Sequence, residues 1–343
     1  MATPVNNSTW LQWMASLMGG PRQTYAATFP PDRYHCLLEE LPLHLVPQPQ
    51  RVSLQGSPDT TLVVNPACSV RSADDLPDEL SRRKDLLSGF ALQGGIAWVR
   101  ESRLQTLLPF WLSPDLEVLL RELRPNEPVP QSIPSATRGL LKSAGILVPS
   151  NANDSGEREE FVRHSASLFQ TKGYAPLPGL IHPFQVAALR RYYRQQIRTG
   201  AIHLGDRQSA RRYIAHNEPV AKYFHHQLAA TLSRIAGRTL KPSYVYLASY
   251  LSGAELKKHT DREQCDYSVT FCLDYSPEPQ LASPWPICLQ TARGTVKVYQ
   301  MLGDGLAYRG MQLPHFRGAL PDGQTSTSIF FHYVPSEFAG PLD

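Results

Sequence analysis

The feature that most limits the fold of this 343-residue chain is the run of short strand-like segments that follows Gly237. Each segment is apolar or alternating in character, and turn residues separate it from the next. The segments cover residues 243–251, 265–274, 285–290, 295–299, 305–308, 315–317 and 326–334. Several strands at such short spacing predict an antiparallel sandwich or barrel.

Two amphipathic helices precede these strands. Residues 183–198 repeat apolar side chains at helical spacing, and so do residues 218–237. The C-terminal part of the chain is therefore predicted to be mainly β, with helices behind its strands.

The region from 29 to 150 shows short apolar runs followed by helices. Strands are predicted at 43–46, 51–54, 61–64 and 96–99. Ser113 as N-cap and Pro114 at the first helical position predict a helix, and a second helix over 135–143 leads into an extended segment. This outline is that of a winged-helix or peptide-recognition module, although an α+β domain that only buttresses its neighbour fits it equally well.

Polar residues from 151 to 158 predict a linker. We therefore expect an N-terminal helix and connector over 1–28, an accessory α+β domain over 29–150 and a main domain over 159–343. A chain of this length suits two domains.

Composition excludes several classes of function. The net charge of +4 is small and the basic residues form no dense run, so we expect no nucleic-acid partner. Five cysteines without CxxC spacing indicate reduced thiols and a cytoplasmic location. No apolar stretch approaches the roughly 18 residues of a membrane span, so we expect no membrane partner.

A histidine and an aspartate, His259 and Asp261, stand two residues apart. In an extended segment this spacing puts the imidazole and the carboxylate on one face. His315 follows in a second block that begins at Gly303-Asp304. Two histidines and one carboxylate on one side of a metal are the arrangement that non-haem Fe(II) oxygenases use, so these three residues are the candidate metal ligands and catalytic centre.

Short motifs around these three residues resemble those of one known family of enzymes. Gly173-Tyr174 with Pro178-Gly179-Leu180 resembles the beginning of many Fe(II)/2-oxoglutarate-dependent dioxygenase domains of the phytanoyl-CoA/prolyl hydroxylase type. Tyr250 before Gly253 and His259 resembles the strand that leads into their metal motif, and Gly303-Asp304 resembles the turn before their distal histidine. The resemblance covers roughly residues 165–340 and implies a double-stranded β-helix (jelly-roll) fold.

The same resemblance implies the chemistry. Fe(II) would be the metal, 2-oxoglutarate would chelate it at two positions, and O₂ would take the third, with ascorbate as the reductant in an assay. Decarboxylation of 2-oxoglutarate to succinate would drive oxidation, most simply hydroxylation, of an unactivated C–H bond. The substrate would be an amino acid, a peptide or a small natural-product intermediate, and the accessory domain could hold a peptide or protein partner.

The sequence departs from this family at one place. Most members carry an arginine or lysine on the last core strand, which pairs with the distal carboxylate of 2-oxoglutarate, but residues 324–328 contain no cation. Arg317 is the expected substitute, because it lies two residues beyond His315 on a strand and a guanidinium suits bidentate carboxylate pairing. Arg309 is the second choice. Hydroxyl groups are expected to assist from Tyr250, Ser326 and Ser328.

Two other interpretations stay open. The jelly-roll could be a non-catalytic binding protein whose N-terminal domain recognises a peptide or protein, which the missing late-strand cation favours. A jelly-roll metalloenzyme of another class, such as an isomerase or hydrolase, is a third interpretation. His332 has aromatic neighbours and no Gly-Asp turn before it, so a structural role is expected for it rather than metal ligation.

Overall fold

The computed structural model describes residues 28–39, 42–45, 61–72, 74–151, 154–206 and 209–343. The strand predicted at 51–54 and nearly all of the predicted N-terminal helix and connector lie outside these residues. The strand predicted at 43–46 is wrong, because Leu43–Leu45 forms a 3₁₀ helix. Pro42 starts this turn, and its carbonyl accepts a hydrogen bond from the Leu45 N–H at 2.9 Å.

The N-terminal region is an α+β arrangement, as predicted. Its elements are β1 (Leu62–Val64), β2 (Cys68–Arg71), α1 (Asp78–Ser81), β3 (Ile96–Arg100), β4 (Leu107–Trp111), α2 (Pro114–Glu122), α3 (Ser135–Ser143) and β5 (Leu147–Pro149). Strands β2, β3 and β4 form an antiparallel sheet, and β1 pairs with β5. The predicted start of α2 is confirmed, since the Ser113 side chain accepts from the Leu116 N–H.

The C-terminal part begins with a helix where we predicted a linker. Its elements are α4 (Asp154–Lys172), β6 (Tyr174–Leu177), α5 (Pro183–Arg198), β7 (His203–Leu204), β8 (Arg212–His216), α6 (Pro219–Ala236), β9 (Leu240–Tyr250), β10 (Leu256–His259), β11 (Tyr267–Ser276), β12 (Ile287–Thr291), β13 (Gly294–Val298), β14 (Gly305–Arg309), β15 (His315–Arg317) and β16 (Thr325–Pro335). Short 3₁₀ helices also cover Lys84–Leu87 and Glu263–Cys265.

The strands from β9 to β16 wind through two facing antiparallel sheets. The large sheet has the order β6-β14-β11-β16-β9-β8-β7, and the small sheet has the order β10-β15-β12-β13. The chain crosses between the sheets at nearly every turn, so β9, β11, β14 and β16 belong to one sheet while β10, β12, β13 and β15 belong to the other. This is the double-stranded β-helix that the sequence predicted.

Helices α4, α5 and α6 cover the large sheet on its outer side. The Tyr333 hydroxyl of β16 donates to the His225 carbonyl of α6 at 2.9 Å. Phe169 of α4 stacks on Tyr267 of β11, with ring centroids 6.0 Å apart. The outer face of the large sheet is therefore packed against helices. Its inner face lines the interior between the two sheets. Within the described residues, no helix has both the length and the apolar character to cross a membrane.

A buried glutamine joins the N-terminal region to the C-terminal part. Gln185 of α5 is fully buried. Its Oε1 accepts from the Tyr34 hydroxyl at 2.5 Å, and its Nε2 donates to the Pro109 carbonyl of β4 at 2.8 Å. Core side chains from both regions belong to one continuous cluster. The division into domains at 150 stays a prediction.

We expect Gln185→Leu to destabilise the whole protein. The substitution leaves the Tyr34 hydroxyl and the Pro109 carbonyl buried without this partner, at a cost of roughly 1–3 kcal/mol for each group. Urea unfolding measures the loss, with Gln195→Leu on a half-exposed position of the same helix as the control. A loss no larger than the control's would contradict the coupling of the two regions through Gln185.

Candidate metal centre

The three candidate ligands converge between the two sheets. His259 ends β10 and pairs directly with His315, the first residue of β15. Asp261 Oδ1 lies 3.7 Å from His259 Nε2 and 3.5 Å from His315 Nε2, and one donor atom from each residue lies within 4.8 Å of the others. Bonds of roughly 2.0–2.2 Å to one shared ion require separations of this order. The structure thus brings together the residues that the sequence selected.

Backbone carbonyls fix both imidazoles with the same nitrogen facing inward. His259 Nδ1 lies 2.8 Å from the Lys257 carbonyl, and His315 Nδ1 lies 3.0 Å from the Leu313 carbonyl. A carbonyl only accepts, so each Nδ1 carries a proton, and Nε2 is the nitrogen that faces Asp261. Metal-binding histidines are usually held in this way.

Asp261 is held as a carboxylate with one oxygen directed at the histidines. Its backbone N–H donates to the Gly310 carbonyl at 2.9 Å, and its Oδ2 accepts from the Ser268 hydroxyl at 2.7 Å. Burial alone would raise the pKa of Asp261. The hydrogen bond with His315, the charge interactions with His332 and His315, and the hydrogen bond from Ser268 together outweigh burial and lower this pKa. The anion that a metal requires is therefore the favoured form.

The site is open on one side only. The side chain of His259 is 37% exposed, whereas those of Asp261 and His315 are 11% and 3% exposed. His315 is enclosed by the ring of Tyr308, whose centroid lies 4.8 Å away. Solvent therefore reaches these three residues mainly at His259, at the end of β10.

A second group of donors overlaps the first. Asp261, Cys265 and His332 also offer atoms within 4.8 Å of one another. In this group the Cys265 thiol already lies 2.9 Å from the Tyr244 hydroxyl, and His332 Nδ1 lies 2.9 Å from the Ser268 hydroxyl. Burial raises the pKa of Cys265 to about 12, so this group offers a thiol instead of the thiolate that a metal binds. His259, Asp261 and His315 are therefore the better metal site.

Arg317 lies in the interior close to these ligands. Its side chain is buried, its Nη1 donates to the Trp285 carbonyl at 2.6 Å, and its guanidinium lies 4.8 Å from the centre of the Trp285 ring. Its Nε has no hydrogen-bond partner among the described residues. Burial lowers the pKa of Arg317, and the groups that oppose this are thiols and phenols, Cys272 and Tyr250 first, rather than carboxylates. Among the described residues, Arg317 is thus a buried cation without an anionic partner.

Hydroxyl groups without partners line the same interior. The hydroxyls of Tyr250, Thr270 and Ser328 are buried and make no hydrogen bond within the described residues. Ser326 pairs across the sheet with Tyr250, which places both side chains on the inner face. Buried hydroxyls normally have partners, so their grouping beside a lone guanidinium indicates a site for a polar ligand.

Arg309, the second choice, does not face this interior. Its Nη2 donates to Gln170 at 3.3 Å, and its guanidinium lies 5.4 Å from the centre of the Phe169 ring of α4. The neighbouring Tyr308 faces inward, so Arg309 on the same strand faces outward.

Sequence reasoning missed several polar groups of the interior. Thr270 and Ser268 alternate on β11, and polar residues at every second position of a buried strand were the available signal. Trp285 was predicted to begin a strand over 285–290, but the strand begins at Ile287, and Gln300, which contacts Arg317 Nη2 at 3.4 Å, also lies outside the regular strands.

Comparison with known proteins gives the following similarities. No family model and no curated protein matches the sequence. About half of the chain is similar to solved structures of iron- and 2-oxoglutarate-dependent oxygenases. The non-haem α-ketoglutarate-dependent epimerase SnoN from nogalamycin biosynthesis is 15% identical, with 53% of this chain and 88% of that chain covered and a TM-score of 0.42.

Two further structures give similar values. A Pseudomonas putida prolyl-4-hydroxylase is 19% identical, with 50% of this chain and 98% of that chain covered and a TM-score of 0.43. HygX from Streptomyces hygroscopicus, solved with nickel, 2-oxoglutarate and hygromycin B, is 16% identical, with 51% and 88% covered and a TM-score of 0.41. The chemistry of the present site rests on its own side chains.

We expect Gly310→Ala to disrupt the candidate metal centre. A Cβ built at Gly310 would overlap Asp261 Oδ2 and the Cys265 carbonyl, and it would lie 2.8 Å from the Ser268 hydroxyl. Co(II) affinity, measured by competition with a chromophoric chelator, should fall. Gly318→Ala is the matched control, because a Cβ there meets nothing within 4 Å. Equal affinities in the two variants would show that the Asp261 position does not depend on Gly310.

Proposed function

We propose that the protein is an Fe(II)- and 2-oxoglutarate-dependent oxygenase. The observation that carries this proposal is the combination, in one interior, of a two-histidine, one-carboxylate cluster and a buried guanidinium without a carboxylate. The cluster suits the metal, and the guanidinium suits the far end of a dicarboxylate ligand.

His259, Asp261 and His315 would hold Fe(II). Nitrogen and oxygen donors on one side of the ion leave positions open for a co-substrate and for O₂, which is the property that defines this ligand set. The fixed Nδ1 protons and the lowered pKa of Asp261 support this assignment, because both Nε2 atoms and one carboxylate oxygen face one another.

Arg317 would bind the distal carboxylate of 2-oxoglutarate. A guanidinium forms bidentate, charge-assisted hydrogen bonds with a carboxylate, and its unpartnered Nε is a free donor for one of them. Tyr250, Thr270 and Ser328 would supply further donors, with Ser326 beside them. Arg317 of β15 would thus replace the arginine or lysine that the last core strand lacks.

Together, the bound iron, 2-oxoglutarate and O₂ would supply an oxidant for an unactivated C–H bond. The chain positions the groups and keeps most water out, since His315, Arg317 and the hydroxyls beside them are buried. The exposed edge of His259 leaves the approach for the substrate, which we propose to be an amino acid, a peptide or a small natural-product intermediate.

The decisive experiment is anaerobic addition of 2-oxoglutarate to the Fe(II)-loaded protein. A weak visible charge-transfer band should appear in the wild type and be absent from His259→Ala, and exposure to air should then give succinate. A folded wild type that retains no iron would instead favour the non-catalytic binding protein. A metal-retaining protein without the band would favour another class of metalloenzyme.

We expect Arg317→Met to weaken 2-oxoglutarate binding while Fe(II) binding persists. Loss of a charge-assisted pair costs roughly 1.5–3 kcal/mol, or about 10- to 150-fold in affinity. The charge-transfer band, titrated with 2-oxoglutarate, measures the change. Arg309→Met, which removes an arginine that faces outward, should titrate like the wild type. If both variants titrate alike, Arg317 is not the carboxylate partner.

A further inference from the structure

We propose that Ser268 and His332 are positioning residues that hold Asp261 so that only one of its oxygens faces the metal. This inference rests on the proposed function, because it assigns roles toward the metal in that same centre. His332 lies outside the His259-x-Asp261 motif and is not one of the three candidate ligands, so this is a separate role for it.

The Ser268 hydroxyl is the centre of a small buried network. Its Oγ lies 2.7 Å from Asp261 Oδ2, 2.9 Å from His332 Nδ1 and 3.2 Å from the Cys265 carbonyl. Ser268 is 1% exposed and His332 is 6% exposed, so water does not compete strongly for these contacts.

The chemistry of the partners sets the direction of the hydrogen bonds. A carboxylate and a carbonyl can only accept, and Ser268 has a single proton to give. The shorter, charge-assisted contact to Asp261 is the stronger one, so the proton points at Oδ2. His332 must then donate its Nδ1 proton to Ser268 Oγ. The relay therefore runs from His332 through Ser268 to Asp261.

The fold fixes both members of the relay. Ser268 of β11 and His332 of β16 are direct cross-strand partners in the large sheet. The His332 ring lies 4.7 Å from the Tyr244 ring, and its backbone carbonyl accepts from His225 Nε2 of α6 at 2.7 Å. His332 is thus held from its ring and from its backbone, and it does not depend on the metal for its place.

The consequence for the metal centre is geometric. With Oδ2 engaged by Ser268, Asp261 offers Oδ1 to the side of His259 and His315. Without the relay the carboxylate could rotate and offer both oxygens, which would occupy a position that the co-substrate needs. Partners of this kind around metal ligands usually change metal affinity or activity about 10- to 100-fold when they are removed.

The test is a double-mutant cycle on Co(II) affinity. Wild type, Ser268→Ala, His332→Leu and the double variant are titrated with Co(II) under nitrogen, in competition with a chromophoric chelator, and the Co(II) visible spectrum is recorded. Ser249→Ala is the matched control. It removes another buried hydroxyl of the large sheet, which accepts from Thr327 at 2.8 Å and is not part of the relay. Thermal unfolding of each metal-free variant checks folding.

We expect Ser268→Ala to weaken Co(II) binding about 10- to 100-fold and to alter the visible spectrum, while Ser249→Ala does neither. The double variant should bind no more weakly than Ser268→Ala, because His332 acts only through Ser268. Wild-type affinity in Ser268→Ala, or additive losses in the double variant, would overturn the inference. If His332→Leu does not fold, Ser268→Ala against Ser249→Ala decides the matter.

Failure of the proposed function gives a different result. In that case either the wild type shows no Co(II) binding that His259→Ala abolishes, or the Fe(II)-loaded wild type gives no charge-transfer band with 2-oxoglutarate, whatever the relay variants do. A wild type that binds through His259, with an unchanged Ser268→Ala, rejects the relay alone.

Discussion

The pairing of β10 with β15 is the constraint on which the candidate site depends. It sets His259 opposite His315 and Leu256 opposite Arg317, with an irregularity in register between the two pairs. Because side chains alternate along a strand, His315 and Arg317 face the same interior. One short strand therefore supplies both the distal imidazole and the buried cation, and a shift of register by a single residue would turn both outward.

Charge balance would explain how the proposed metal ion and the guanidinium of Arg317 can be buried side by side. A lone guanidinium in a protein interior is costly, and so is a metal ion that only one carboxylate neutralises. In the proposed site, an Fe(II) ion and Arg317 would together carry three positive charges, whereas Asp261 and a dicarboxylate co-substrate would carry three negative charges. The filled site is neutral, so the metal and the co-substrate should each favour the binding of the other.

Much of this arrangement follows from local sequence patterns. The strand-like segments after Gly237 predicted the sheets, the His-x-Asp spacing and the later block from Gly303-Asp304 supplied the three candidate ligands, and strand parity alone placed Arg317 with His315. The polar stretch at 151–158 predicted a linker, but α4 begins at Asp154; its buried apolar residues, such as Val162 and Phe169, come only later in the helix. Trp285 and Gln300 could not be predicted, since loops bring them to Arg317 only after the two sheets have closed.

The proposed relay through Ser268 shows why contacts between residues far apart in the sequence cannot be predicted from residue spacing. Ser268 is 7 residues from Asp261 and 64 residues from His332, and no spacing rule connects all three. What joins them is that β11 lies between β14 and β16 in the large sheet. The register of that sheet sets Ser268 beside His332, and the turn after β10 brings Asp261 over both. The sheet that builds the barrel thus also orients the carboxylate, so stability of the fold and geometry of the metal centre are properties of the same set of strand pairs.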